Sequence, residues 1–210
     1  MQSLFDIFHS GGFVMYPLAL CSLISWSIAL ERFWTLKNTM AGTEELTEKV
    51  QASLIRGDTA EALEACHKSR VPLARALEDL IQASLKKAVA QDVLAQRANR
   101  KRLELQAEYK KYIWALGTIA SATPFLGLFG TVVGILRAFH NISVTGDSGF
   151  SVVASEISEA LIATATGIIV AVIAVALYNF FQVQVGKLVL ETRLSLDEFL
   201  ENWNAARAGK

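Results

Sequence analysis

The chain has 210 residues, 52% of them hydrophobic, and its 20 basic and 20 acidic side chains cancel to a formal net charge of zero. With no single basic face, this balance argues against nucleic-acid binding. What sets the sequence apart is segregation: residues 13–30, 112–136 and 160–186 contain no Asp, Glu, Lys or Arg. Each stretch is near or above the roughly 20 residues that carry a helix across a bilayer core. A soluble core scatters shorter apolar runs at amphipathic spacing, so the alternative is a buried soluble hairpin formed by the last two stretches.

Residues 1–12 contain Asp6 and His9 but no Lys or Arg. A secretory signal needs a basic start and a small-residue cleavage site, whereas this apolar run ends in Glu31-Arg32-Phe33-Trp34. Residues 13–30 therefore read as a permanent first span, with Phe33 and Trp34 at the interface favoured by amphipathic rings. Cys21 falls within this span.

Residues 31–111 hold 15 of the 20 Lys and Arg; Lys187, Arg193, Arg207 and Lys210 follow the third apolar run, and 1–12 and 138–158 have none. Basic flanks stay cytoplasmic. The expected topology is a periplasmic N-terminus (1–12), a cytoplasmic domain (31–111), a periplasmic loop (138–158) and a cytoplasmic C-terminal helix (187–210). The cytoplasmic domain reads as helical. Asp58-Thr59-Ala60-Glu61 has capping-box spacing, and Pro72 suits a first helical turn. Leu73, Leu77, Leu80 and Leu85 mark an apolar stripe. From about residue 91 the sequence is strongly charged, and no Gly or Pro interrupts it before Gly117. That predicts one helix running into the second span, 112–137. The charge run suits a solvated face and a positive-inside flank, with anionic lipid as an alternative ligand. Cys66-His67 lacks a second pair at ligand spacing, so no metal site is expected, and neither cysteine sits where disulfides persist.

At about 100° per residue, Ala120, Thr123, Gly127, Gly130, Thr131, Gly134 and Ala138 fall on one narrow face of the second span. Small residues let helix backbones approach closely in lipid; the hydroxyls within the stripe are the extra feature. The third span, 159–186, has two such stripes: Ala160, Thr164, Gly167, Ala171 and Tyr178, and Ser155, Glu159, Ala163 and Thr166. A threonine in a helix also bonds back to its own backbone, which is the plain alternative for each hydroxyl. Glu159 is an ionisable group at the edge of a span. Such a group points to a pathway or a partner, or else it snorkels outward, a description that fits Glu156 better. No phosphate loop, paired helical histidines or nucleophile elbow occurs, so neither an enzyme activity nor a cofactor is expected.

Gly127-Leu128-Phe129-Gly130-Thr131-Val132-Val133-Gly134 resembles a signature of the MotA/TolQ/ExbB proton-channel family. So does Ile157-Ser158-Glu159-Ala160-Leu161-Ile162-Ala163-Thr164-Ala165-Thr166-Gly167, with Tyr178-Asn179 beyond it. Gly11-Gly12-Phe13-Val14-Met15-Tyr16-Pro17, Leu30-Glu31-Arg32-Phe33-Trp34 and the Gly57-Asp58 to Pro72-Leu73 spacing extend the likeness over nearly the whole chain. Three spans resemble the ExbB and TolQ branches rather than the four-span MotA branch. The family's third span usually carries a Pro where Ile173 stands here, a departure that bears on helix bending and pore shape.

The resemblance implies an all-α integral membrane protein with three transmembrane helices and a helical cytoplasmic domain, assembled in the bacterial inner membrane as a ring-forming homo-oligomer, a pentamer. It implies an ExbD- or TolR-like single-span partner carrying a membrane Asp, and a TonB- or TolA-like protein beyond it. It also implies a proton path with Thr131 and Thr164 as pore-lining residues and Glu159 as the membrane glutamate. Thr123 and Thr166 join them as pathway candidates, and Gly127, Gly130, Gly134 and Gly167 as packing positions. The function so implied is that of a proton-driven motor subunit serving TonB-dependent transport, with a TolQ-like role in envelope maintenance or a motility-type motor as alternatives; the competing readings are a non-conducting membrane scaffold and a small-solute transporter. Transporters show internal repeats, and none is found here.

Overall fold

The computed structural model describes residues 11–85, 91–145 and 150–208, so residues 1–10, most of the expected periplasmic N-terminus, lie outside the described residues. Those described form six α-helices: α1 (Met15–Ile55), α2 (Thr59–Lys68), α3 (Pro72–Ser84), α4 (Gln91–Tyr109), α5 (Ile113–Thr145) and α6 (Phe150–Ala208). Two compact units result. One contains the chain up to Leu30 together with Tyr112–Phe180; the other contains Glu31–Lys111 and the chain from Phe181 onward.

Among the described residues, Ile113–Val144 and Ala154–Ala205 are long and apolar enough to cross a membrane. α1 is not a third by the same measure. Gly12, at φ +68°, holds the left-handed turn that precedes it, and Met15 N–H bonds the Gly12 carbonyl at 3.1 Å. Helix therefore starts at Met15, and the length of a span counted from there takes in Glu31 and Arg32. Pro17 sits in the first turn of α1, where its missing N–H has no helical partner to lose. Pro124 lies inside α5 without ending it. Most of 138–158 is helical, because α5 continues to Thr145 and α6 begins at Phe150.

In the second unit, Gly57 adopts φ +77° and Asp58 N–H closes the end of α1 on the Ser53 carbonyl at 2.9 Å. The Asp58 carboxylate then caps α2, accepting from Glu61 N–H at 2.9 Å. Pro72 opens α3. Leu73, Leu77 and Leu80 are buried there together with Ile81, whereas Leu85 lies past the helix end and is 55% exposed. On α4, Leu94, Ala98, Leu105 and Tyr109 form the buried face. Arg75 of α3 reaches Glu108 of α4 at 2.9 Å. Thr47 Oγ1 of α1 donates to Ser195 Oγ of α6 at 3.1 Å, and Tyr109 of α4 and Thr192 of α6 pair their hydroxyls at 3.3 Å.

The continuous helix expected from residue 91 into the second span is not observed. α4 stops at Tyr109, and Tyr112 takes φ +66° before α5 begins. A left-handed non-glycine residue costs roughly 1–2 kcal/mol. The break falls beside Lys110 and Lys111, the last charges before the apolar run.

Cys66 is buried at 2% exposure, and burial, with Glu78 adding to it, pushes its thiol up to about 11. His67 turns to Glu78 at 3.5 Å. Because the thiolate is the reactive form, Cys66 in the folded protein should alkylate slowly with iodoacetamide at pH 7.5 and at the rate of a free thiol once unfolded. Mass spectrometry of the Cys66 peptide reads both rates, and equal rates would contradict the burial.

Candidate functional site

The first unit is organised by a seam between α5 and α6. A Cβ on Gly167 would lie 2.7 Å from the Thr123 carbonyl oxygen and 3.0 Å from Gly127 Cα; one on Gly127 would lie 3.0 Å from Thr164 Cα. These contacts are backbone to backbone, so neither side has a flexible end to move. Further along, a Cβ on Gly130 would meet Ala163 Cβ at 2.9 Å, and one on Gly134 would meet Ala160 Cβ at 2.5 Å. Thr123, Ala138, Ala160, Ala163, Ala171 and Ala174 are buried along the same seam.

The hydroxyls divide by partner. Thr164 Oγ1 bridges the helices, donating to the Gly127 carbonyl at 2.8 Å. Thr123 bonds Ile119 O at 2.9 Å, Thr131 bonds Leu128 O at 2.7 Å and Thr166 bonds Ile162 O at 2.8 Å, each within its own helix. Among the described residues no hydrogen bond joins Thr131 to Thr164 or to Glu159.

The start of α1 packs onto this pair. Val14, Met15 and Leu18 form one buried cluster with Ala163, and Leu126 lies against it. A second cluster joins Ile119, Val170 and Ala174, with Cys21 and Ala120 beside it. Ala163 thus meets both Gly130 and Val14, and a Cβ on Gly130 would itself lie 3.6 Å from Val14 Cβ, so the three chain segments converge at this point.

Polar groups gather at one end of the seam. Glu159 lies against Gly12, and together with Arg137 lines a cavity of about 20 Å³. Arg137 stands over the Phe13 ring at 5.6 Å, and Phe13 meets Phe129 edge-on at 6.2 Å. Asn141 donates to Glu156 Oε1, while Glu156 Oε2 is buried without a partner. Reading the sequence one helix at a time missed Gly12, Arg137 and Asn141; the one signal was a left-handed turn foreshadowed by the Gly11-Gly12 pair.

The outward faces are apolar. Phe125, Phe129, Val132 and Leu136 of α5 and Leu161, Ile169 and Val172 of α6 are each at least half exposed. So much exposed apolar side chain on helices of spanning length calls for lipid or further chains to cover it.

A model of the MotA/TolQ/ExbB proton channel family matches residues 68–193, which hold α5 and α6 up to residue 193. The chain belongs to this family. The biopolymer transport protein ExbB of Neisseria meningitidis serogroup A is 29% identical over 189 residues, spanning 83% of this chain and 84% of that protein. The ExbB of Pseudomonas putida is 31% identical over 174 residues, 80% of this chain and 52% of the relative. A shorter match to the Salmonella typhimurium ExbB reaches 49% over 71 residues, 34% of this chain and 29% of the relative. Family membership and the apolar helices together make this a membrane protein.

If the seam is set by backbone contact, Gly167→Ala should lower thermal stability in detergent. Overpacking of this kind typically costs about 1–3 kcal/mol. Gly117→Ala, whose Cβ would meet only the Tyr178 ring at 3.1 Å, should be milder because a side chain can shift. Equal effects on the melting temperature would show that backbone approach at Gly167 is not limiting.

Proposed function

We propose that the chain is the proton-channel and stator subunit of an inner-membrane motor of the ExbB–ExbD type, converting proton motive force into work on the periplasm and outer membrane, as in TonB-dependent transport. The observation that carries this reading is the polar end of the seam: Glu159 stands at the edge of two stretches, 112–136 and 160–186, that hold no Asp, Glu, Lys or Arg, on helices whose contact is built from Gly, Ala and Thr. The packing of Val14, Met15 and Leu18 on the same pair supports counting residues 13–30 as a third span. In this reading the N-terminus and residues 138–158 face the periplasm, and residues 31–111 and the C-terminus face the cytoplasm.

Several copies, five by family resemblance, form a ring around the single span of an ExbD- or TolR-like partner that supplies a membrane Asp. A TonB- or TolA-like protein takes up the output, and lipid covers the outer apolar faces. One charge crossing ~100 mV releases roughly 2.3 kcal/mol, enough to bias small steps between packed helices. Glu159 is a polar or titratable member of the path near its periplasmic end. Thr131 and Thr164 orient the path, because a hydroxyl oxygen that donates one hydrogen bond still has lone pairs to accept another. Thr123 and Thr166 are further lining groups, and Gly127, Gly130, Gly134 and Gly167 hold the helices together.

One observation favours a second reading, a non-conducting scaffold: each of the four hydroxyls donates to a backbone carbonyl. The variants separate the two. In the channel reading, Glu159→Gln, Thr131→Val and Thr164→Val assemble normally with the single-span neighbour, as judged by native mass spectrometry, but lose proton-driven activity. In the scaffold reading they keep activity, while Gly130→Leu abolishes assembly.

A further inference from the structure

A Cβ on Gly12 would overlap Glu159 Oε1, and its next nearest atoms would be Glu159 Cδ at 3.5 Å and Cγ at 3.9 Å. The carboxylate therefore rests on the side-chain-free face of Gly12, which the left-handed φ of +68° turns toward it. The adjoining residue, Phe13, offers its ring to the Arg137 guanidinium at 5.6 Å. One dipeptide at the start of α1 thus addresses both charged groups of the outer end, the anion on α6 and the cation on α5. Glu159, Arg137 and the Gly11–Gly12 backbone border the same cavity of about 20 Å³. A buried water needs roughly 10–15 Å³ and two to four polar partners. This cavity is large enough for one water, and Glu159 and Arg137 line it together with Gly12, Phe13, Val14 and Val133.

We propose that Gly12 is a positioning residue for Glu159, holding its carboxylate at a one-water site opposite Arg137. The inference rests on the channel reading above and adds a role for the segment that leads into α1. If the carboxylate is to pass a proton to water, it has to keep one orientation. A glycine in the left-handed region permits that orientation, because every L side chain both strains this φ and occupies the carboxylate's place.

Gly57 provides a control: it has a similar φ of +77°, and nothing lies within 4 Å of the Cβ position. Full-length variants are tested in the native host deleted for the chromosomal copy. Membrane level is read by immunoblot, assembly with the single-span neighbour by native mass spectrometry, and activity as restoration of the process lost on deletion. Gly12→Ala should assemble at the wild-type level and lose activity to the level of Glu159→Gln, while Gly57→Ala stays active. Shortening the acid withdraws it from the new methyl group, so Gly12→Ala with Glu159→Asp should recover the activity of Glu159→Asp alone.

The inference is overturned if Gly12→Ala is as active as wild type, if it fails to assemble, or if the double variant is no more active than Gly12→Ala while Glu159→Asp alone is active. If Glu159→Asp is itself inactive, the contrast between Gly12→Ala and Gly57→Ala decides. Full activity of Glu159→Gln would overturn the channel reading and this inference together. Loss in Glu159→Gln with none in Gly12→Ala would overturn this inference alone.

Discussion

The first unit depends on the approach of two backbones. In lipid there is little hydrophobic gain in bringing helices together, and association rests on van der Waals contact and interhelical hydrogen bonds. At Gly127 and Gly167 the two helices leave no room for a methyl group on either side. That closeness lets Thr164 Oγ1 reach the Gly127 carbonyl at 2.8 Å, a bond that wider spacing would exclude. The same contact fixes the rotation of α6. With Thr164 and Gly167 turned to α5, Ala163 meets Val14 and Glu159 meets Gly12. The place of the one carboxylate beside the α1 turn thus follows from glycines up to two turns away.

Helical periodicity made the small-residue faces legible, because Gly127, Gly130 and Gly134 share one face of α5 and Gly167 lies with Ala160, Thr164 and Ala171 on one face of α6. It could not say where each hydroxyl sends its proton. A threonine on a helix has its own i−3 and i−4 carbonyls within reach, and Thr131, Thr123 and Thr166 use them. Only Thr164 spans the gap, since Gly127 brings a foreign carbonyl closer than its own Ala160 oxygen, 2.8 Å against 3.4 Å. Gly12 was illegible for a different reason: its contact with Glu159 joins distant parts of the chain, and no local pattern encodes it. The Tyr112 break was hidden because neither Gly nor Pro marks it, and a bulky residue takes the left-handed turn instead.

The second unit is held differently. Its interior carries polar pairs, Thr47 with Ser195 and Tyr109 with Thr192, and Thr43 Oγ1 is buried there without a partner. Its exposed charges pair mostly at short range along the helices, as in Lys49 with Glu45 and Lys68 with Glu64. Exposed pairs of this kind contribute little, so buried apolar side chains, among them Leu73, Leu77 and Leu80 of α3, Leu94 of α4 and Phe181 and Leu188 of α6, must supply most of its cohesion. The two units therefore respond to different changes: added volume disturbs the first, and lost apolar volume disturbs the second.

The distribution of ionisable groups also constrains any conduction. Residues 112–136 and 160–186 hold no Asp, Glu, Lys or Arg, and the carboxylates of α6 nearest the seam, Glu156 and Glu159, both stand at one end of it. A threonine orients a water or a carboxylate but does not hold a proton at ordinary pH. A proton that reaches Glu159 consequently finds no acidic or basic side chain on α5 or α6 for the length of the seam. Continuous transfer then requires water, or a carboxylate brought by another chain, at the level of Thr131 and Thr164. The exposed apolar faces of α5 and α6 leave room for such a chain. Conduction on these terms cannot rest on the side chains of this chain's two apolar stretches alone.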